Sequence, residues 1–405
     1  MSNSSETIVI VGAGIVGSAL AHFLSASSGK RKITVVDRSL KTLVGSTGHA
    51  PGFVGQFNES EVLTRLAIDT VQEYTKIPGG FNTVGELEVA YSTSGIDRLK
   101  SRCLKAASLG LPGEIVSIQR ATELAPDLVK ASDSGAALHF STDGTANAGR
   151  ITSYYQESAK NSGVEFLERD VTKLLISGGR VAGVETQQGD TNQQLHADRV
   201  ILATGIWAQE LCKNLDFPIP VVPVGHPYMH GETRKVNTQT SPFVRWPEAH
   251  VYARDHGDCY GIGTYNHKPI HYEPTNGTAI GNWIPDFEDP LKTAISLLPE
   301  ATGSEFQAGK GFNGIFSMTP DNMPLAGKVK SVHGLYLAVA VWVTHAAGTA
   351  KFITKILNED EVDQASRDAL QPERFRGQDF SALQEKSLCG YNEIYKTVGA
   401  DETAL

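Results

Sequence analysis

Two short stretches near the N-terminus carry residues whose types and spacing bear on chemistry. The first is GAGIVG, residues 12–17. In this pattern Gly12 allows a tight turn, Gly14 lets the backbone approach a pyrophosphate, and Gly17 lets a helix pack close to a strand. The amides of Ile15 and Val16, at the start of that helix, point donors and a positive dipole end at phosphate oxygens. Asp37 follows 20 residues after Gly17 and is succeeded by Arg38. That is where an acid accepts from ribose hydroxyls, and an acid there disfavours the 2′-phosphate of NADP. The second stretch is GSTGHAPGFVGQFN, residues 45–58. It encloses one imidazole, His49, between Gly48, Ala50, Pro51 and Gly52. Either the chain turns sharply here or something large and flat lies against it.

These residues need particular elements to place them. Residues 7–11 and 32–37 read as buried β-branched strands flanking a helix from 18 to about 27, a β-α-β unit that opens a parallel sheet. Residues 60–78 and 97–109 have helical spacing. From Gly163 the chain alternates apolar and polar residues around Gly178-Gly179, the pattern of a hairpin. ADRVILATG, residues 197–205, reads as another buried strand, and 335–343 as a hydrophobic strand followed by a helix from about Ala346. Residues 221–285 are rich in aromatics, prolines and histidines, with strand-like 251–265.

An NAD enzyme continues with further β-α-β units, whereas this chain breaks off into a small-residue loop and returns much later. That organisation favours FAD, with adenine over the first unit and the flavin at a domain boundary. The expected fold is therefore mixed α/β (α+β): a Rossmann-like FAD-binding domain with an inserted antiparallel-sheet substrate domain. We assign residues 1–80, 145–220 and 310–375 to the first, 81–144 and 221–309 to the second, and 376–405 to a C-terminal extension. A ligand site belongs in the cleft between them.

Composition narrows the field. The 405 residues include 40 glycines, well above the roughly 7% average, which suits backbone brought close to a ligand. The formal charge of −9 and the absence of a Lys/Arg cluster argue against nucleic acid. Cys103, Cys212, Cys259 and Cys389 are scattered, with no CxxC pair, and read as reduced thiols. No apolar run is long enough for a membrane span, and MSNSSETIVIVGAG passes straight into a strand. A cytoplasmic protein is the expectation; the sequence leaves oligomeric state open.

Several stretches together resemble the D-amino-acid-oxidase/glycine-oxidase superfamily of flavoproteins: GAGIVGSALA, GSTGHAPG, VGELEVA, HGDCYGIGTY, GFNGIFSMTPDNMPLAG and AVWVTHAAG. Within it the likeness is to the FAD domains of the dimethylglycine oxidase and dimethylglycine/sarcosine dehydrogenase group, from residue 7 to about 350, with an echo in GYNEIY at 390–395. The resemblance implies that His49 is bonded covalently to the flavin 8α-methyl carbon, with Ser46 and Thr47 bonding phosphate or ring atoms. It implies further cofactor contacts from Val171, Thr204, Gly205, Gly314, Thr344, His345, Ala346 and Ala347, the turn at 343–348 facing the flavin pyrimidine edge. Some superfamily members anchor FAD through a cysteine shortly before a TPD motif. GFNGIFSM, which precedes Thr319-Pro320-Asp321 here, has no cysteine.

On the substrate side the positions that match the group's amine-handling residues are His226, in PVGHPY, and Tyr260, in GDCYGIG. A neutral imidazole keeps an amine unprotonated, and a tyrosine hydroxyl orients it. Trp246, Tyr252, Tyr265, Trp283 and Trp342 read as packing or pocket wall, and Arg254 and Lys268 as the nearest cations for a substrate carboxylate. His230, His250, His256, His267, His271 and His345 lack the ordered spacing of metal ligands. The group's longer members continue into a folate-binding module; this sequence ends at 405, so the one-carbon product is expected to leave into solvent or pass to another protein. The expected activity is oxidation of a C–H next to the nitrogen of an N-methylated amine or amino acid, with O2 or an electron-transfer protein as acceptor. The alternatives are a flavin oxidase of the same fold acting on a specialised metabolite and a non-catalytic nucleotide-binding module.

Overall fold

The structure is a computed structural model that describes residues 5–27, 30–236, 241–274 and 277–394. The first strand, Glu6–Val11, is apolar on both faces because it lies inside a six-stranded sheet. Arg31–Asp37 pairs parallel to it on one side and Arg199–Leu202 on the other, with Val9 opposite both Thr34 and Val200. Leu335–Val339 extends the sheet beyond Arg199–Leu202 in parallel, and Leu325–Lys328 closes that edge antiparallel. The far edge is Glu165–Glu168, parallel to Arg31–Asp37.

The alternating segment after Gly163 is thus two structures. Its first strand joins the parallel sheet. The rest, Asp170–Ser177, Arg180–Gln188 and Thr191–His196, forms a separate antiparallel meander that turns at Gly178-Gly179 with both φ angles positive. Periodicity alone does not mark that division, since both strands alternate.

Helix Ile15–Ala26 packs on one face of the sheet against Ala148–Asn161 and Ala346–Leu357, and Glu61–Tyr74 packs on the last of these. Ile8, Ile10, Leu20, Ile151, Tyr155 and Ile353, all nearly solvent-free, belong to the core these helices enclose. The meander, with Ala208–Cys212 and Phe380–Asn392, covers the other face around Val9, Val36, Leu202 and Leu337.

A second, nine-stranded sheet carries the inserted part. Its order runs Ile280–Gly281, Lys310–Met318, Val222–His230, Tyr260–Thr264, Val251–Asp255, Phe243–Trp246, Glu86–Ala90, Ala136–Phe140, Gly113–Ser117. All pairings are antiparallel except Phe243–Trp246 with Glu86–Ala90. The sequence places residues from 310 in the nucleotide-binding part, but Lys310–Met318 pairs along its full length with Val222–His230. Chain continuity with the last parallel strands conceals that membership. Phe53–Val54, Gly144–Ala146 and Phe81–Asn82 make a small third sheet.

The C-terminal extension is part of this architecture as far as residue 394; residues 395–405 lie outside the described residues. Its helix Phe380–Asn392, capped by Asp379 on the Ala382 amide at 2.9 Å, packs on Val222–His230 and Lys310–Met318. That contact inserts Tyr391, fully buried, among Val224, Tyr228, Tyr252 and Tyr265. The four cysteines form no disulfide, and among the described residues no helix is long and apolar enough to cross a membrane.

Candidate functional site

One elongated cavity of about 610 Å³ runs from the C-terminal ends of the parallel strands to the inner face of the nine-stranded sheet. At its first end helix Ile15–Ala26 starts at Gly14 with no side-chain cap of its own. The open amides are met from the neighbouring loop, where Thr47 Oγ1 accepts from Ile15 N at 3.2 Å. Gly17 lies one turn in, and a Cβ there would overlap the Gly12 carbonyl oxygen, so the helix approaches this close only with glycine. Asp37 accepts from the amides of Ala13 at 2.6 Å and Ser39 at 2.9 Å. A carboxylate has about four lone-pair sites, so it retains room for ribose hydroxyls. Arg38 stacks over Trp207 at 4.7 Å and pairs with Asp170 at 3.1 Å, beside Val171.

In the middle of the cavity, residues Ser46–His49 form one short helical turn. Ser46 Oγ donates to Ile315 O at 2.9 Å, tying this loop to the second sheet. The His49 ring bonds to the Val44 backbone, and burial pulls its basicity below the usual range. Its Nε2 is buried without a partner, as are Thr204 Oγ1, Trp207 Nε1 and Arg169 Nη1, and all four residues line the cavity. Buried polar atoms are nearly always bonded. Four such orphans in one cavity mark the place of a ligand with polar atoms of its own. Also in the lining, Thr344 Oγ1 donates to Phe53 O at 3.1 Å, and His345, held neutral by burial at about 4, borders the start of the uncapped helix Ala346–Leu357.

The far end is built from side chains. His226 sits mid-strand opposite Gly314, its backbone amide donating to Asn313 Oδ1 at 2.9 Å. The ring is 2% exposed, and burial drives it well below the normal imidazole range, with His267 adding to the effect. Its Nε2 meets Tyr252 Oη and its Nδ1 meets Tyr391 Oη, each at 2.6 Å. Tyr228, Tyr265, Phe312, Phe316 and Trp342 complete an aromatic chamber. At its edge Arg245 lines the cavity while pairing with Glu86, and with Glu88 at 2.8 Å. Burial pushes Glu86 strongly towards its protonated form. Burial also opposes charge on Glu88, but Arg102 and Arg245 outweigh it and hold that carboxyl below its usual range.

Residues 7–356 match the protein-family model described as "FAD dependent oxidoreductase" (DAO). The chain belongs to this family. Human mitochondrial sarcosine dehydrogenase is 27% identical over 353 residues, covering 82% of this chain and 37% of that protein. The formaldehyde-forming 4-methylaminobutanoate oxidase of Paenarthrobacter nicotinovorans is 27% identical over 344 residues, covering 82% of this chain and 40% of that protein. The chain thus spans well under half the length of these curated relatives. Among solved structures, L-proline dehydrogenase from P. horikoshii superposes with a TM-score of 0.80 at 21% identity, covering 92% of this chain and 98% of the other. That likeness shows the fold.

The FAD-family cavity gathers most of the residues singled out in the sequence. Gly12, Gly14, Ile15, Val16, Asp37, Arg38, Ser46, Thr47, His49, Val171, Thr204, Gly205, Gly314, Thr344, His345 and His226 all line it. Gly17 stands just behind its glycine turn. Ala346 and Ala347 do not reach it; both side chains are fully buried in the helix–sheet core. Any contribution they make to the cofactor comes from their backbone.

Tyr260 is the clear correction. It lies outside the cavity, with Arg234 over its ring at 3.6 Å and Leu291, Phe287 and Ile262 in the same core cluster. The reason is strand parity. Tyr260, Ile262 and Thr264 share one face of their strand, and Gly261 and Gly263 share the other. A Cβ at Gly263 would strike the Tyr252 ring and one at Gly261 the Tyr228 hydroxyl, so those glycines make room for the tyrosines that do reach the site. The alternation in YGIGT carried this signal. Of the aromatics read as wall, Tyr252, Tyr265 and Trp342 line the cavity, whereas Trp246 packs in the core beside Val244 and Val251. Arg254 is spent on Pro51 O at 2.5 Å, and Lys268 is exposed. Arg245 borders the cavity instead, as Arg38 and Arg169 do, and nothing in its sequence neighbourhood distinguishes it.

Proposed function

We propose that this chain oxidises the C–H bond next to nitrogen in a secondary or tertiary N-methylated amine or amino acid, on FAD bonded covalently to His49. The cofactor assignment to the cavity rests on the four orphaned polar atoms, and the covalent bond on the His49 Nε2 atom among them. Bound there, FAD would supply the hydride acceptor and so the redox chemistry. The Val16 amide and the Thr47 hydroxyl would hold its phosphates, and Asp37 its ribose. The helix start at Ala346 presents positive dipole to whatever charge gathers beside it.

The observation that carries the substrate class is the His226–Tyr252 pair inside an aromatic chamber. Tyrosine and tryptophan faces attract a substituted ammonium. Hydride leaves only when nitrogen has a free lone pair, so the bound amine must lose its proton. His226, kept neutral by burial, takes a hydrogen bond at Nε2 from Tyr252, which itself lines the cavity. Arg245 offers a cation for a carboxylate at the chamber's edge. Relatives named for sarcosine and 4-methylaminobutanoate, both N-methyl amino acids, support the same class. The iminium formed is hydrolysed by water, releasing formaldehyde from an N-methyl group, and O2 takes the electrons.

The test is anaerobic mixing of the yellow protein with sarcosine, dimethylglycine and 4-methylaminobutanoate. Bleaching of the flavin band by one of them, with formaldehyde and hydrogen peroxide formed in air, is the expected outcome. A flavin that stays oxidised with every amine ends the reading; bleaching without peroxide transfers the acceptor role to an electron-transfer protein.

A further inference from the structure

The amine must give up its proton beside Tyr252 and His226, yet this buried ring is the wrong place for it to stay. Burial disfavours the imidazolium, and among the described residues the rings packed against it offer no carboxylate: Tyr252 from Val251–Asp255, Tyr265 just after Tyr260–Thr264, Phe316 from Lys310–Met318, Tyr391 from the C-terminal helix. The hydrogen bonds continue outward, however. Tyr391 Oη, at 2.6 Å from His226 Nδ1, is also 2.7 Å from His267 Nε2. The His267 Nδ1 lies 2.9 Å from the backbone oxygen of Lys268. His267 is 8% exposed, its ring packs on Phe287 at 4.9 Å, and Lys268 beside it stands at the surface.

The last bond fixes the direction of all the others. A carbonyl oxygen only accepts, so His267 Nδ1 carries hydrogen. In the neutral ring that leaves Nε2 as acceptor, and it takes the proton of Tyr391. The Tyr391 oxygen then accepts from His226 Nδ1–H, which leaves His226 Nε2 to accept from Tyr252. Four bonds between 2.6 and 2.9 Å point one way, from the chamber to the edge of the fold.

We propose that Tyr391 and His267 are the outer half of a proton relay that carries the substrate's ammonium proton from Tyr252 and His226 to the protein surface. The inference rests on the amine reading above. In one shift the substrate N–H bond breaks and its proton goes to Tyr252 Oη. Tyr252 gives its own proton to His226 Nε2, His226 Nδ1 gives one to Tyr391 Oη, and Tyr391 gives one to His267 Nε2. Both hydroxyls remain neutral, His226 changes tautomer without gaining charge, the amine gains its lone pair, and the single positive charge moves to His267. The buried ring therefore never becomes an imidazolium. His267, 8% exposed, then loses its added proton to solvent, and reorientation of the two hydroxyls with the opposite tautomer exchange at His226 restores the resting polarity. His226 and Tyr252 face the substrate; Tyr391 and His267 act through them.

Two variants and two measurements test this. Tyr391→Phe keeps the ring and removes the oxygen that joins the two histidines. His267→Gln keeps an acceptor for Tyr391 but cannot hold the proton. Both should lower the anaerobic rate of flavin reduction at least about tenfold near pH 6, where the amine arrives protonated. Both should recover towards the wild-type rate as pH rises and the free amine becomes available, so the pH profile moves up. A loss equal at every pH, or a profile superimposed on the wild type, overturns the relay. Independently of any substrate, 15N-histidine spectra of the wild-type holoprotein should show His226 and His267 both neutral with hydrogen on Nδ1. A charged ring, or hydrogen on Nε2 of His267, overturns it. If no amine reduces the wild-type flavin, the reaction assigned above fails, and the tautomer spectra still decide whether the directed chain exists.

Discussion

The two ends of the cavity are built on opposite principles. The dinucleotide end is backbone: glycines, helix amides and one acid, all drawn from the first stretch of chain plus a loop. The amine end is side chains: His226, Tyr252, Tyr265, Phe316 and Tyr391 come from four strand or loop segments and the C-terminal helix. A backbone site tolerates few changes because its groups cannot be moved without moving the fold. A side-chain site keeps its frame when one group is altered and loses chemistry instead. Substitutions at the two ends should therefore fail differently.

The largest effect belongs to the backbone end. Gly17→Ala forces a methyl group into the Gly12 carbonyl, where backbone meets backbone. Overpacking of this kind costs up to about 3 kcal/mol, and here the displaced atoms also form the phosphate turn. The expected product unfolds at lower temperature and retains little flavin, read by thermal melts and by the ratio of flavin to protein absorbance. A stable, fully yellow Gly17→Ala protein would show that the helix start can shift, and the contrast would lose its first term.

At the side-chain end, His226→Gln and Tyr252→Phe should leave flavin content intact and slow reduction. Removing a positioned proton acceptor costs about a hundred- to ten-thousandfold. His226→Gln should sit at the high end of that range, Tyr252→Phe at the low end. Because the two groups share one hydrogen bond, the double variant should cost much less than the product of the singles. Rapid-mixing reduction of each protein measures this; loss of flavin in either single variant would place these residues in the frame rather than in the chemistry.

What the sequence made legible follows the same division. GAGIVG, Asp37 and the flanking strands are contiguous, so local propensity and spacing reveal them and the parallel sheet they open. His226 emerged from a resemblance, and its partners did not follow, because register between Val222–His230, Tyr260–Thr264 and Val251–Asp255 decides which tyrosine faces inward. Parity in YGIGT excludes Tyr260, but only once the strand is known to have one face on the cavity. Tyr391 is harder still. It lies 165 positions from the ring it bonds, on a helix whose docking depends on long-range packing. Arg245 and its two glutamates are likewise joined by strand pairing across about 160 residues.

His49 lies between the two ends, and its replacement should have an intermediate effect. His49→Ala leaves the phosphate turn and the aromatic chamber untouched while removing the proposed tether. After acid precipitation the wild-type pellet should remain yellow and the variant's flavin should wash into the supernatant. Reduction should continue several-fold more slowly, since an imidazole on the ring draws electrons from it and favours hydride acceptance. Flavin released from the wild-type pellet by acid alone would remove the tether and leave both ends standing.

The smallest effect is expected at Tyr260, and it sharpens the contrast most finely because Tyr260 and Tyr252 lie on adjacent strands. Tyr260→Phe deletes a hydroxyl that bonds Asp127 and Arg234, while Arg234 keeps its place over the ring. Loss of such a bond costs about 1 kcal/mol of stability. Nothing in that change reaches the chamber, since Gly261 and Gly263 are the residues of this strand that face it. Flavin reduction should therefore stay within about twofold of wild type, less than about 0.5 kcal/mol of barrier, while Tyr252→Phe in the same assay falls well below. If instead Tyr260→Phe slows reduction as much as Tyr252→Phe does, strand parity is not what selects the amine-handling tyrosine. The face of the sheet turned towards the substrate would then have to be reassigned.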